Sequence, residues 1–168
     1  MKLLFISLGC DKNLVDSEEM LGMLAADGHQ IVDDEDEAEV IIINTCCFIG
    51  DAKEESVNTI LEMAEKKKAG TCKVLIVTGC MAQRYKKEIS EEIPEVDAIL
   101  GTTSYGEIVK AVKEAQAGRH FEEYKSIDYL PDISGKRMLT TGGHFAYLKI
   151  AEGCDKHCTY CIIPKVRG

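Results

Sequence analysis

The sequence predicts an α/β fold in which strands and helices alternate around a parallel sheet. Three observations carry that expectation. Two continuous runs rich in β-branched residues, at 40–43 and 74–77, read as strands covered on both faces. Around them run stretches with apolar residues at helical spacing. Glycines at 28, 70 and 118 follow those stretches where helices should stop. Alternation of this kind gives a parallel sheet with helices on both of its faces.

Each element follows in order. Residues 3–8 read as a buried strand. Asp16, Ser17, Glu18 and Glu19 then open a helix, because an Asp or Ser cap with acids in the first turn suits the helix dipole. Met20, Leu21, Met23 and Leu24 supply its apolar face. Residues 30–32 are a short strand, and 40–43 the first fully covered one. A long helix runs from about 52 to 68, with Val57, Ile60, Leu61 and Ala64 at helical spacing. Residues 74–77 form the next strand, a helix follows Cys80, and residues 98–100 form the last short strand. Ile108, Val109 and Val112 line a final helix.

Beyond residue 118 the pattern weakens. Pro131, Gly135, Gly142 and Gly143 mark a linker over 119–144. Residues 145–151 then read as a new strand leading into Gly153 and Cys154. The expected division is a sheet domain at 1–118, a linker at 119–144 and the start of a further domain at 145–168. A strand and a cysteine loop make no core alone, so the chain reads as the front part of a longer protein.

Composition removes several classes. Of 168 residues, 45% are hydrophobic, which is ample for a core and excludes wholesale disorder. No apolar run approaches the roughly 20 residues of a membrane span. The apolar start, Met1 to Ile6, lacks the basic leader and length of a signal peptide, so a cytoplasmic location is expected. Net charge is −9, and the first 50 residues carry eleven acids against two bases. Strong nucleic-acid binding is therefore not expected, since phosphate binding rests on Lys and Arg. An acidic face suits a basic protein partner, although the run at 33–39 alone reads as a solvated loop.

The eight cysteines are the strongest signal. In a reducing compartment they point to metal, clusters or catalysis rather than a disulfide framework. Cys10, Cys46 and Cys80 each fall just past the carboxyl end of a strand. Those ends form one rim in an open α/β sheet, and ligands bind there. Soft thiolates on that rim favour an iron–sulfur cluster or zinc. The plainer alternative is three ordinary buried cysteines. Cys72 precedes its strand and reads as structural at the opposite edge. Cys47 cannot easily share the direction of Cys46 and reads as core.

A second group, Cys154, Cys158 and Cys161, forms a CxxxCxxC array. Three closely spaced thiolates can hold three irons of a cubane and leave the fourth free. Zinc is the alternative, with His157 as fourth ligand.

This array, with Tyr160 before its last cysteine, resembles the signature of radical S-adenosylmethionine enzymes. The run from Cys158 through Pro164 to Arg167-Gly168 is similar to their methylthiotransferase branch, as are Gly9-Cys10, Asn44-Thr45-Cys46 and Thr78-Gly79-Cys80. Ser7-Leu8-Gly9-Cys10-Asp11-Lys12-Asn13 resembles the group that modifies an aspartate of the twelfth small-subunit ribosomal protein, more than the group acting on transfer RNA. The resemblance implies Rossmann- or flavodoxin-like layers followed by the start of a radical SAM barrel. It implies two 4Fe–4S clusters, one on Cys10, Cys46 and Cys80 and one on Cys154, Cys158 and Cys161. S-adenosyl-L-methionine binds the second cluster, with Tyr160 beside it. The implied reaction methylthiolates the aspartate β-carbon through a radical, with an electron-donor protein as partner. A piece of this length would be inactive alone. A two-cluster electron-transfer protein is the competing, non-enzymatic reading.

Overall fold

A computed structural model of the chain describes residues 1–132, 135 and 137–168. Ile133, Ser134 and Lys136, within the expected linker, lie outside the described residues. Six strands form one parallel sheet: β1 (Lys2–Ser7), β2 (Gln30–Ile31), β3 (Val40–Thr45), β4 (Val74–Gly79), β5 (Ala98–Leu100) and β6 (Phe121–Glu123). Their spatial order is β2-β1-β3-β4-β5-β6. The two β-branched runs are the central pair, β3 and β4, and every residue in both is buried. Strands buried on both faces need no polar alternation, which is why these two were the plainest in the sequence.

Helices cover both faces. Leu3, Val40, Ile42, Val74 and Ile76 meet Met20 and Leu24 of α1 (Asp11–Ala26) and Ile108 and Val112 of α5 (Ile108–Gln116). On the other face Ile41, Ile43, Leu75 and Val77 meet Ile60 and Met63 of α2 (Gly50–Lys68), Met81 of α3 (Cys80–Arg84) and Ile89 of α4 (Lys86–Glu92). A last short helix, α6 (Ile163–Val166), packs Val166 against this second face. Among the described residues no helix is long and apolar enough to cross a membrane.

The structure departs from the sequence reading in three places. First, α1 begins at Asp11, one turn and more before the expected Asp16 cap. Asp16, Ser17 and Glu18 are buried, and their polar atoms serve tertiary contacts. Second, the sheet runs one strand further than expected, because β6 lies in the segment read as a linker. Its Phe-Glu-Glu sequence, on a half-exposed edge, has no apolar pattern to betray a strand. Third, residues 145–151 carry no strand, and the start of a barrel is not visible. This segment is held through side chains instead. The Lys149 side chain is buried, while Leu148 and Ile150 are 82% and 89% exposed.

Candidate metal centre

The order of the sheet marks a particular point. From β1 the chain crosses to β2 on one side and then to β3 on the other. In open α/β sheets the crevice past the carboxyl ends at such a reversal is where ligands bind. Cys10 is the N-cap of α1 just after β1, Cys46 follows β3, and Cys80 opens α3 directly after β4. Thr45 pairs with Gly79, so Cys46 and Cys80 leave the sheet side by side.

Two of these turns require glycine. Gly9 and Gly79 have φ of +99° and +95°, where L side chains are strained. A Cβ on Gly9 would stand 2.7 Å from the Cys46 Cβ, and one on Gly79 would stand 2.5 Å from the Thr45 carbonyl oxygen.

Cys10, Cys46, Cys80 and Cys154 line one cavity of about 650 Å³, with Phe48, Ile49, Ala52 and Ile163 as apolar wall and Arg167 at its inner side. Cys10 is exposed, whereas Cys46 and Cys80 are buried. All eight cysteines are free thiols. Among the described residues, no three Cys, His, Asp or Glu side chains are yet gathered closely enough to hold a metal ion. The donor set nevertheless suits a soft metal: three thiols from three adjacent strand ends share one partly apolar cavity. Burial pushes the Cys80 thiol up to about 11, with the Arg167 guanidinium beside it pulling the other way.

Polar residues to which the sequence reading gives no role of their own hold the turns. Asn13 is fully buried, and its side-chain amide donates to the carbonyls of Leu8 at 2.9 Å and Thr45 at 3.0 Å. Its oxygen accepts from Arg167 at 2.5 Å and faces the Cys80 thiol at 3.8 Å. Ser56 of α2 clamps Cys46 on both sides, accepting from its N–H at 3.0 Å and donating to its carbonyl at 2.9 Å. Asn44 donates to the Asn13 carbonyl at 2.9 Å. Their signal in the sequence is slight: small polar residues within a few positions of each cysteine, in stretches otherwise apolar.

Cys72 precedes β4 and donates to the Val74 carbonyl at 3.0 Å, away from the cavity. Cys47 packs in the core and donates to the Cys80 carbonyl at 3.3 Å. Burial raises both of these thiols.

The CxxxCxxC loop is not a helix. Cys154 and Cys158 are exposed and Cys161 is half-buried. Only Cys154 of the three reaches the shared cavity; it also lines a second one of about 790 Å³ with Asp155, His157 and Pro164. Tyr160 is 89% exposed and packs on no core. The flanks of the loop are well anchored. Lys149 donates to Asp16 at 2.5 Å and pairs with Glu152; Arg167 donates to Asp16 at 2.8 Å and Glu152 at 3.2 Å. Lys12 donates to the Glu152 carbonyl at 2.7 Å, and the Cys154 N–H to the Gly168 carbonyl at 2.9 Å. Burial works against the charge of Arg167, but Asp16 and Cys80 outweigh it and raise its pKa.

Comparison with known proteins gives the chain a family. Residues 2–101 match the model of Uncharacterized protein family UPF0004. The whole chain is 63% identical to a Lachnoclostridium phytofermentans protein named ribosomal protein uS12 methylthiotransferase RimO, covering 38% of that protein. A Clostridioides difficile protein of the same name is 51% identical over the whole chain, again over 38% of its own length. One from Acetivibrio thermocellus is 52% identical over 97% of the chain and 37% of its own length. The chain thus spans well under half the length of these relatives. With more than half of its residues matched by the family model, the chain belongs to the UPF0004 family, and within that family its sequence groups with proteins named RimO.

Proposed function

We propose that this chain is the cluster-bearing front of a methylthiotransferase that modifies an aspartate of ribosomal protein uS12. The observation that carries the reading is the meeting of Cys10, Cys46, Cys80 and Cys154 in one cavity at the reversal point of the sheet. On this reading Cys10, Cys46 and Cys80 hold one 4Fe–4S cluster, and Cys154, Cys158 and Cys161 hold a second that binds S-adenosyl-L-methionine, with Tyr160 alongside. When bound, these groups supply one-electron chemistry, a radical able to act on an unactivated C–H bond, and the sulfur and methyl that are transferred.

The chain's own residues supply placement. Gly9 and Gly79 let the turns close, Ser56 fixes the Cys46 backbone, and Phe48, Ile49 and Ile163 line the cavity beside the thiols. Lys149, Glu152 and Arg167 fasten both flanks of the CxxxCxxC loop to α1. The sheet domain, which β6 carries to residue 123, serves the first cluster, the chain from there to 144 connects, and 145–168 open the part that carries the radical chemistry. An electron-donor protein and the basic ribosomal protein are the partners, in the cytoplasm.

The test uses the full-length protein, reconstituted anaerobically with iron and sulfide and given S-adenosyl-L-methionine, a reductant and uS12. Mass spectrometry should find one methylthio group in place of a hydrogen on an aspartate of uS12. Loss of that product in Cys10→Ala, Cys46→Ala or Cys80→Ala is expected. An unmodified uS12, with transfer RNA modified instead, would overturn the substrate.

A further inference from the structure

Arg167 and Asn13 meet in the interior between the two cysteine groups. Arg167 comes from α6's end, beyond the CxxxCxxC loop, yet its guanidinium is buried against α1. It donates to Asp16 and to the Asn13 side-chain oxygen. The Asn13 amide in turn donates to the carbonyl two residues before Cys10 and to the carbonyl one residue before Cys46. The same Asn13 oxygen faces the Cys80 thiol. One side chain thus touches the turn or thiol of all three strand-end cysteines, and one cation from the other cysteine arm orients it.

We propose that Asn13 and Arg167 are positioning residues for the three-cysteine site: Asn13 sets the three turns relative to one another, and Arg167 locks Asn13 only while the CxxxCxxC arm is docked on α1. The proposal deepens the reading of Cys10, Cys46 and Cys80 as a cluster site and rests on it. Its physical basis is the cost of buried polar groups. An asparagine oxygen deprived of its cation, or two backbone carbonyls deprived of their donor, are left unsatisfied in the interior, and the turns must shift to reach other partners. A shift in those turns changes the separation of the thiols directly. Docking of one arm is thereby felt at the metal site of the other.

The experiment uses the full-length protein with Cys154, Cys158 and Cys161 changed to Ala, so that only the strand-end site loads iron. Iron loss to a ferrous chelator, the electron paramagnetic resonance spectrum of the reduced cluster, and amide exchange of the metal-free protein are compared in Arg167→Met and Asn13→Asp. Asn13→Asp keeps an acceptor for Arg167 and removes both donors to the turns. Both variants should lose iron about tenfold faster, the change expected from one or two buried hydrogen bonds. Both should alter the spectrum, and the metal-free variants should exchange faster at residues 9–11 and 45–47. Release and spectra equal to the parent in both variants would overturn the proposal. A parent that loads no iron would instead overturn the cluster reading, and unchanged exchange at the turns would then overturn the positioning role as well. Arg167→Met that fails to fold leaves Asn13→Asp to decide.

Discussion

Cys72 and Cys80 lie eight positions apart in the sequence, at opposite ends of β4. One donates to a backbone carbonyl at the strand's start, and the other opens into the shared cavity. Iron analysis after anaerobic reconstitution should separate them: Cys80→Ala loses most of the iron held by the strand-end site, and Cys72→Ala retains it. Cys47→Ala should also retain it, since that thiol packs in the core. Iron loss in Cys72→Ala with retention in Cys80→Ala would remove the strand-end argument. At this scale the cysteines were legible because thiols are rare and their strands were strongly patterned. Asn13, Ser56 and Arg167 were not. The Asn13 amide and the Arg167 guanidinium take their roles from partners as far as 32 and 154 positions away, and no local periodicity encodes those distances.

Helix α1 shows how an element can be recognised and its beginning misplaced. Asp16 to Glu19 have the composition of a capped first turn, yet they sit in the middle of the helix. Asp16 anchors Lys149 and Arg167, and Glu18 accepts from the Thr140 N–H, the Thr140 hydroxyl and Arg137. Acids at a helix start and acids at a tertiary anchor look alike in a sequence, and burial is what distinguishes them. Burial of Glu18 raises its carboxyl, but those donors outweigh it and hold the group below the usual carboxylate range. A depressed carboxyl contributes stability above its unfolded pKa of about 4.3 and loses it as pH falls through the folded value. Amide exchange at residues 138–141 should therefore quicken as pH is lowered from neutral through the acid carboxylate range, after correction for intrinsic exchange rates. Glu18→Gln should give faster exchange already at neutral pH, with a flatter pH response. Identical pH responses in the two proteins would discount the anchor. Strand β6 was missed for a different reason: a three-residue edge strand owes its place to its neighbour β5, not to any pattern of its own.

Charge belongs to the molecule as a whole. With −9 in total and the excess confined to the first 50 residues, the chain offers phosphate little attraction. Gel-shift titration with single-stranded and duplex RNA at physiological salt should find binding no tighter than the weak end of the nonspecific range, roughly 10⁻⁴ M. Micromolar binding would mean that a local basic surface overrides the total. The parallel sheet is readable in the sequence because its two central strands are apolar over 40–43 and 74–77, whereas the order of its strands is not, since crossover direction leaves no local mark. That order has a consequence for chelation. The strand-end cysteines are 36 and 34 positions apart along the chain. In an unfolded polymer, gathering them would mean closing two loops, each at about 3 kcal/mol by the logarithmic scaling of loop entropy. The folded sheet has already closed both by setting the ends of β1, β3 and β4 side by side, so on the proposed reading a soft ion at these thiols would meet little of that loop entropy. By linkage, an ion held there would add its binding free energy to the stability of β1, β3 and β4, so that stripping it would loosen those strands without unfolding them.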